Sequence, residues 1–157
     1  MPLTFDILTD LHSFITPSSI DDIVHWAAIT TAHFLMLRAS EFTVPPSEVF
    51  DATSRLTTAD AQFHSSSDGM EYLTLHIKRS KTDQCGQGVT LNTGHCGHAV
   101  CAVCAMKKNL AVRGRPVSST TPLFQLADLS PVTKTGLVTC FSPVTTHRHR
   151  PLSIQWP

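Results

Sequence analysis

The chain has 157 residues, of which 41% are hydrophobic and 15% are charged, and its 12 basic side chains balance 12 acidic ones. This length accommodates one domain with a sizeable core, and the balanced charge excludes a strong overall field that would draw the chain to nucleic acid. The longest apolar stretch, residues 20–37, is interrupted by aspartate and histidine, so no membrane span is expected. Five cysteines, an odd number, and the absence of a secretory leader predict reduced thiols in an intracellular protein.

Two helices are predicted at the start of the chain. Residues 3–15 place apolar side chains at helical spacing, and Pro17 ends that pattern. Ser19 then has the character of an N-cap for a second helix, which is apolar on nearly every side and reaches Arg38. A helix of that kind is normally central in a fold, so we expect the rest of the chain to pack around it.

A small antiparallel sheet is predicted in the middle of the chain, because three strand-like segments are separated by two turns rich in polar residues and glycine. The strands are expected at residues 55–63, 71–78 and 88–92, and the turns at residues 65–69 and 83–86. Two tight turns between short strands indicate a three-stranded meander.

Two more helices and an irregular tail complete the predicted fold. The helices are expected at residues 99–112 and 133–141, where apolar residues recur at helical spacing. Residues 142–157 have neither a period nor a strong apolar face and are predicted to be irregular. The fold class is therefore α+β and mostly helical, with residues 1–141 as a single domain that contains a small three-stranded antiparallel sheet.

Arg38 and Glu41 are predicted to lie one turn apart at the end of the apolar second helix. An unpaired guanidinium is costly to bury, so Arg38 must be paired, hydrated or directed at an anion. Lys81 follows on the hairpin between the second and third strands, where it could reach a ligand beside Arg38. Arginine binds phosphate through two parallel hydrogen bonds and lysine adds a flexible positive charge, so the pair suits phosphate chemistry. The alternative is a structural arginine that caps the C-terminus of the helix.

Five short motifs follow one another in an order that is known from one enzyme family. They are L-R-x-S-E-F at residues 37–42, S-K-T-D-Q at 80–84, C-x-V-x-A-M at 101–106, V-R-G at 112–114 and P-L-F at 122–124. With these motifs the chain resembles, over residues 3–141, the catalytic domain of tyrosine recombinases, which are phage-integrase-like enzymes. It is similar to the forms carried by Crypton and DIRS-like mobile elements. The resemblance implies the fold of DNA breaking-rejoining enzymes, incomplete at its C-terminus.

The resemblance also implies a catalytic role for three side chains. Arg38 would bind the scissile phosphate, Glu41 would support that arginine, and Lys81 would protonate the leaving 5′-oxygen. Further contacts to DNA are expected from basic residues of the hairpin and of the helix at residues 99–112, which are Lys78, Arg79, Lys107 and Lys108. For these four residues a solvated surface is the alternative interpretation.

The partners follow from the same resemblance. Double-stranded DNA is the expected partner, a homo-oligomer assembled on that DNA is compatible with the family, and a nuclear location is expected. No metal, no other cofactor and no small-molecule substrate are expected, because the family joins DNA through a covalent phosphotyrosine intermediate.

Two parts of the family's site lack a matching position in this chain. The H-x-x-R sequence that pairs His147 with Arg150 lies within the predicted tail. The single tyrosine, Tyr72, lies in a predicted strand ahead of Lys81, whereas the nucleophile of the family follows the H-x-x-R box. Without a nucleophile the covalent step has no route. We therefore expect a truncated domain that binds DNA and does not cleave it alone.

A second interpretation concerns residues 95–104, which include two histidines and three cysteines. Cysteine and histidine are the usual ligands of structural zinc. These residues are more crowded than two ligand pairs separated by about a dozen residues, and Cys101 and Cys104 fall in a predicted helix, where thiols are commonly core residues. A small zinc-stabilised binding module centred on residues 95–104 is the alternative function.

Overall fold

The computed structural model describes residues 4–79, 86–113 and 118–146 of the chain, the last five of them by backbone alone. These residues form an α+β fold of five α-helices and one three-stranded antiparallel sheet, which confirms the predicted fold class at this level. The helices are α1 (Phe5–His12), α2 (Ile20–Phe34), α3 (Ala39–Phe42), α4 (Ala102–Ala111) and α5 (Lys134–Thr146). The strands are β1 (Ala61–Ser65), β2 (Glu71–Ile77) and β3 (Val89–Gly94), and a 3₁₀ turn at Thr58–Asp60 precedes β1.

The central helix is α2, as its apolar sequence predicts. Ser19 caps its start, because the Ser19 hydroxyl oxygen accepts a hydrogen bond from the Asp22 backbone N–H at 3.2 Å. All of residues 23–32 are buried, and α4 and α5 pack against this helix. The largest fully buried side chains of the core include Leu8, Ile29, Leu73, Met106 and Leu137. Each side chain of this size contributes about 1.5–3 kcal/mol by leaving water.

The end of α2 differs from the prediction. Met36 adopts a left-handed conformation with φ 53°, and the Leu37 backbone N–H donates to the Ala32 carbonyl at 2.9 Å. This arrangement is a Schellman motif, which ends α2 at Phe34 and directs Leu37 into the core. The prediction that Arg38 lies at the end of α2 is therefore wrong, as is the alternative that it caps that helix. This helix end could not be predicted from the sequence, because methionine occupies the left-handed position that glycine usually takes.

The sheet has the predicted order, with β2 in the middle and antiparallel to both neighbours. Leu73, Leu75 and Ile77 of β2 are buried, and the residues between them lie on the more exposed face. The first predicted turn is confirmed, and Gly69 in it has φ 81°, a conformation that favours glycine. β1 begins later than predicted, because the 3₁₀ turn that ends at Asp60 replaces the start of the expected strand.

Both helices predicted in the C-terminal half are present, with different ends. α4 starts after Cys101, whose backbone is extended. α5 starts after Thr133, whose hydroxyl oxygen accepts a hydrogen bond from the Gly136 backbone N–H at 3.0 Å. It continues through residues 142–146, so the predicted irregular tail is wrong for those five positions. Their sequence lacks an apolar period, but a helix that is already nucleated can propagate without one. The predicted boundary at residue 141 therefore falls inside α5.

His25 is a buried histidine on α2, and its ring nitrogens have no hydrogen-bond partner among the described residues. It faces α5, because a Cβ atom placed on Gly136 would lie 3.8 Å from its Nε2. Burial lowers the pKa of His25 from its usual 6.5, and the carboxylates of Asp21 and Asp22 only partly oppose that effect. His25 is therefore neutral in the folded protein over a wider pH range than in the unfolded chain.

Because folded His25 takes up a proton less readily than unfolded His25, its contribution to stability is complete above pH 6.5 and declines as the pH falls below that value. For one proton the decline in the free energy of unfolding is limited to about 1.4 kcal/mol per pH unit. We expect His25→Leu to reduce the dependence of the free energy of unfolding on pH below 6.5. His33 is half-buried on the same helix, and His33→Leu should leave this dependence in place. Urea unfolding between about pH 8 and about pH 5 measures both. An unchanged profile in His25→Leu would contradict the assignment.

Candidate functional site

Arg38 begins α3 and is held by the carboxylate of Glu41. One oxygen of Glu41 accepts the backbone N–H of Arg38 at 2.8 Å, and the other lies 3.4 Å from its Nη1, at the outer limit of a hydrogen bond. The Glu41 side chain is 9% exposed, whereas that of Arg38 is 41% exposed. The two residues are therefore paired as predicted, and the guanidinium lies at the surface. Their role toward phosphate stays a prediction.

Arg55 fixes the segment that carries Arg38. Its Nη1 donates to the carbonyls of Ser40 and Thr43, at 2.8 and 3.3 Å, and its Nη2 pairs with Glu48. The two carbonyls lie at the C-terminal end of α3, where helix carbonyls lack intrahelical donors and favour a cation. The role of Arg55 could not be predicted from the sequence, since its main partners are backbone atoms 12 and 15 positions away. No residue pattern signals such a contact.

An open cleft lies beside Arg38, between α3 and the start of α5. The polar residues that line it are Arg38, Ser40, Thr43, Lys134 and Thr135. Lys134 is exposed in the first turn of α5, where the helix dipole favours an anion and backbone N–H groups lack intrahelical acceptors. Two cations, three hydroxyl residues and a helix N-terminus therefore line one cleft, which is an arrangement suited to a phosphate group. Lys134 belongs to no motif, and only the tertiary fold brings it to Arg38.

Lys78 has a structural role in the fold, and its expected contact with DNA stays a prediction. Its ammonium lies 2.7 Å from the Asp60 carboxylate and donates to the carbonyls of Ala52 and Arg55 at 2.8 and 3.1 Å. The side chains of Lys78 and Asp60 are 22% and 8% exposed. Lysine has three N–H donors, and these oxygens engage them. Lys78 thus joins the end of β2 to the loop before β1.

Of the two other hairpin residues that are expected to contact DNA, only Arg79 is among the described residues. Arg79 follows Lys78 and is exposed. Lys81 lies outside the described residues, and so do His147 and Arg150 of the H-x-x-R sequence. The roles of these residues stay predictions.

Lys107 and Lys108 are exposed on α4, at a distance from the Arg38 cleft. Lys107 forms an ion pair with Glu71 at the start of β2, and its Nζ lies 5.8 Å from the centre of the Phe63 ring. Lys78 follows the other end of β2, and the 7 residues of this strand span roughly 20 Å. Lys107 and Lys78 therefore lie at opposite ends of β2.

Tyr72 is the one tyrosine of the chain, and it lies in β2. Its ring stacks on that of His64, its partner in β1, with the ring centroids 5.0 Å apart. A cross-strand ring pair of this kind stabilises a sheet. Tyr72 is not among the residues that line the Arg38 cleft.

A second cluster of ligand-type side chains lies where β3 leads into α4. The ligand atoms of His95, Cys101 and Cys104 all lie within 4.8 Å of one another. Cys101 is buried, Cys104 is half-buried and His95 is exposed. Burial opposes ionisation of Cys101, but hydrogen bonds from Cys104 and Cys96 outweigh it and lower the pKa of the Cys101 thiol. Three of the ligand-type residues that are close together in the sequence therefore also lie close together in space.

No model of a known protein family matches this chain, and no curated protein matches it. Among the described residues, no helix is long and apolar enough to cross a membrane. What the chain does must therefore be inferred from its own residues and their geometry.

Lys78→Met should destabilise the fold, because it would leave the Asp60 carboxylate buried without its cation. We expect the free energy of unfolding to fall by about 1.5–3 kcal/mol, the range for hydrogen bonds to charged groups. Lys107→Met is the matched control, since its ion pair with Glu71 is exposed and its loss should leave stability nearly unchanged. Urea unfolding compares the two variants. Equal stabilities would contradict the structural role of Lys78.

Proposed function

We propose that this chain binds the phosphate backbone of double-stranded DNA through the cleft beside Arg38. The observation that supports this most strongly is that Arg38 and Lys134, which are remote in sequence, line the same open cleft. A phosphate oxygen pair can accept the parallel N–H groups of a guanidinium, while the ammonium of Lys134 and the start of α5 add positive charge beside it.

The position of Arg38 is largely set before a ligand arrives. Glu41 accepts its backbone N–H and lies beside its Nη1, while Arg55 holds the far end of α3. Fewer side-chain and backbone orientations then have to be lost on binding, which lowers the entropic cost of forming the complex. A guanidinium that is positioned by a buried carboxylate and still 41% exposed is suited to an external anion.

The segment between β2 and β3, to which Lys81 belongs, starts at the end of β2 that is connected to α3. Lys78, at the base of that hairpin, donates to the Arg55 carbonyl, and Arg55 in turn donates to the Ser40 carbonyl of α3. The chain therefore leaves the sheet toward Lys81 at the end of β2 that is joined to α3. This connection supports a role for Lys81 at a phosphate bound in the cleft.

We also infer that the chain is related by descent to the catalytic domains of tyrosine recombinases, and thereby to DNA integration and recombination. The support is the order of elements: a buried helix before Arg38, a three-stranded antiparallel sheet, and a helix that starts after Cys101. The single tyrosine, Tyr72, lies in β2 and away from the cleft lining, so the proposed activity is DNA binding without strand cleavage by this chain alone. A nuclear location would follow from this function.

Fluorescence anisotropy with a labelled DNA duplex tests the proposed site. Arg38→Ala and Lys134→Ala should each weaken binding, and each should reduce the slope of log affinity against log salt concentration by about one, because one phosphate contact is lost. Lys107→Ala, at the far end of the sheet, is the matched control and should change both quantities less. Circular dichroism verifies that the three variants are folded.

Two results would contradict the proposal. If the unaltered chain does not bind the duplex even at low salt, where phosphate contacts are strongest, DNA is not its ligand. If Lys107→Ala weakens binding as much as Arg38→Ala and Lys134→Ala do, binding is not specific to the cleft.

A further inference from the structure

We propose that His95, Cys96, Cys101 and Cys104 bind one zinc ion, which joins the end of β3 to the start of α4. The family resemblance implies no metal, so this site is independent of the proposed DNA binding. It also lies at the opposite end of β2 from the Arg38 cleft, since the His95 backbone N–H donates to the Glu71 carbonyl at 2.8 Å.

Three of the four ligand atoms already converge. The ligand atoms of His95, Cys101 and Cys104 lie within 4.8 Å of one another. Ligands at roughly 2.3 Å from a tetrahedral zinc ion stand about 3.8 Å apart, so small side-chain rotations would place these atoms around one ion. Cys101 and Cys104 are also spaced as C-x-x-C at the start of a helix, and this spacing is one of the common ligand pairs of structural zinc sites.

Cys96 supplies the fourth ligand. Its thiol donates to the carbonyl of Val100, the residue before Cys101, at 3.3 Å. The other candidate, His98, is engaged elsewhere: its Nδ1 accepts the Val100 backbone N–H at 3.1 Å, and its ring lies 5.0 Å from that of Phe5. The resulting set of three cysteines and one histidine is a known combination in closed, structural zinc sites.

The backbone around the cluster holds the ligands on separate elements. His95 is tied to the start of β2, and Cys101 is fixed at the start of α4, where it is fully buried. Between them Gly97 has φ 66°, a conformation that favours glycine and that returns the chain toward the cluster. A metal ion at this position would therefore cross-link the sheet to the helix that packs against α2.

Packing alone does not explain the cluster. A core role accounts for Cys101, which is fully buried, but Cys104 is only half-buried and Cys96 and His95 are exposed. An exposed thiol gains little from packing, whereas the three converging ligands together with Cys96 would offer zinc a complete set of ligands. Because four protein ligands leave no open position for water or substrate, the site would stabilise the fold and would not catalyse a reaction.

Metal analysis of the full chain, purified under reducing conditions, should show one zinc ion per chain. Replacement by Co²⁺ should produce the visible absorption of a tetrahedral cobalt site with thiolate ligands, which reports the ligands directly. Cys96→Ser removes an exposed ligand without touching the core, and it should weaken Zn²⁺ binding by more than roughly tenfold. Cys140→Ser, on α5 and outside the cluster, is the matched control and should keep the metal and its affinity.

The proposal would be overturned by a folded and reduced chain that takes up neither Zn²⁺ nor Co²⁺. An equal loss of Zn²⁺ affinity in Cys140→Ser and Cys96→Ser would also overturn it, because binding would then be unspecific to this cluster. A disulfide between Cys101 and Cys104 would also overturn the proposal, because sulfurs in a disulfide cannot bind zinc as thiolates. Counting free thiols in the chain isolated without reductant would reveal such a bond.

Discussion

Burial of α2 on nearly every side is the constraint on which the rest of the structure depends. Residues 23–32 are all buried, so other elements must pack on nearly every side of this helix. Two of these elements are α4 and α5. The chain must also leave the helix sharply, which it does through the left-handed backbone of Met36. That turn places Leu37 in the core and lets Arg38 start a new helix with its guanidinium at the surface. The exposure of Arg38 is therefore a consequence of how the central helix ends.

The two candidate sites lie at opposite ends of β2 and depend on different contacts. At one end, Lys78 and Asp60 join the strand to the loop that leads through Arg55 to the cleft. At the other end, His95 hydrogen-bonds to Glu71 and belongs to the cysteine cluster. Loss of the cleft side chains should therefore leave the cluster intact, and the two functions can be tested separately. We propose that the cluster stabilises the fold and that the cleft binds a partner.

Local patterns were sufficient to predict four of the helices and the three strands, but not α3 or the 3₁₀ turn at Thr58–Asp60. The apolar period of α2 and the alternation of β2 are predictable because burial of the whole element or of one face sets them. The pairing of Arg38 with Glu41 was also predictable from their spacing. The end of α2 was not, since Met36 takes a conformation that its side chain does not favour. Nor were the ion pair of Lys78 with Asp60 and the position of Lys134 beside the Arg38 cleft predictable, because tertiary packing alone brings these residues together.

We propose that Arg38 and Lys134 bind the same phosphate group. A double-mutant cycle on duplex affinity, with Arg38→Ala, Lys134→Ala and the double variant, tests this proposal, because residues that share a ligand group are energetically coupled. We expect a coupling energy well above the roughly 0.3–0.5 kcal/mol within which independent sites add. Additivity within that margin would show that the two residues do not act on one anion.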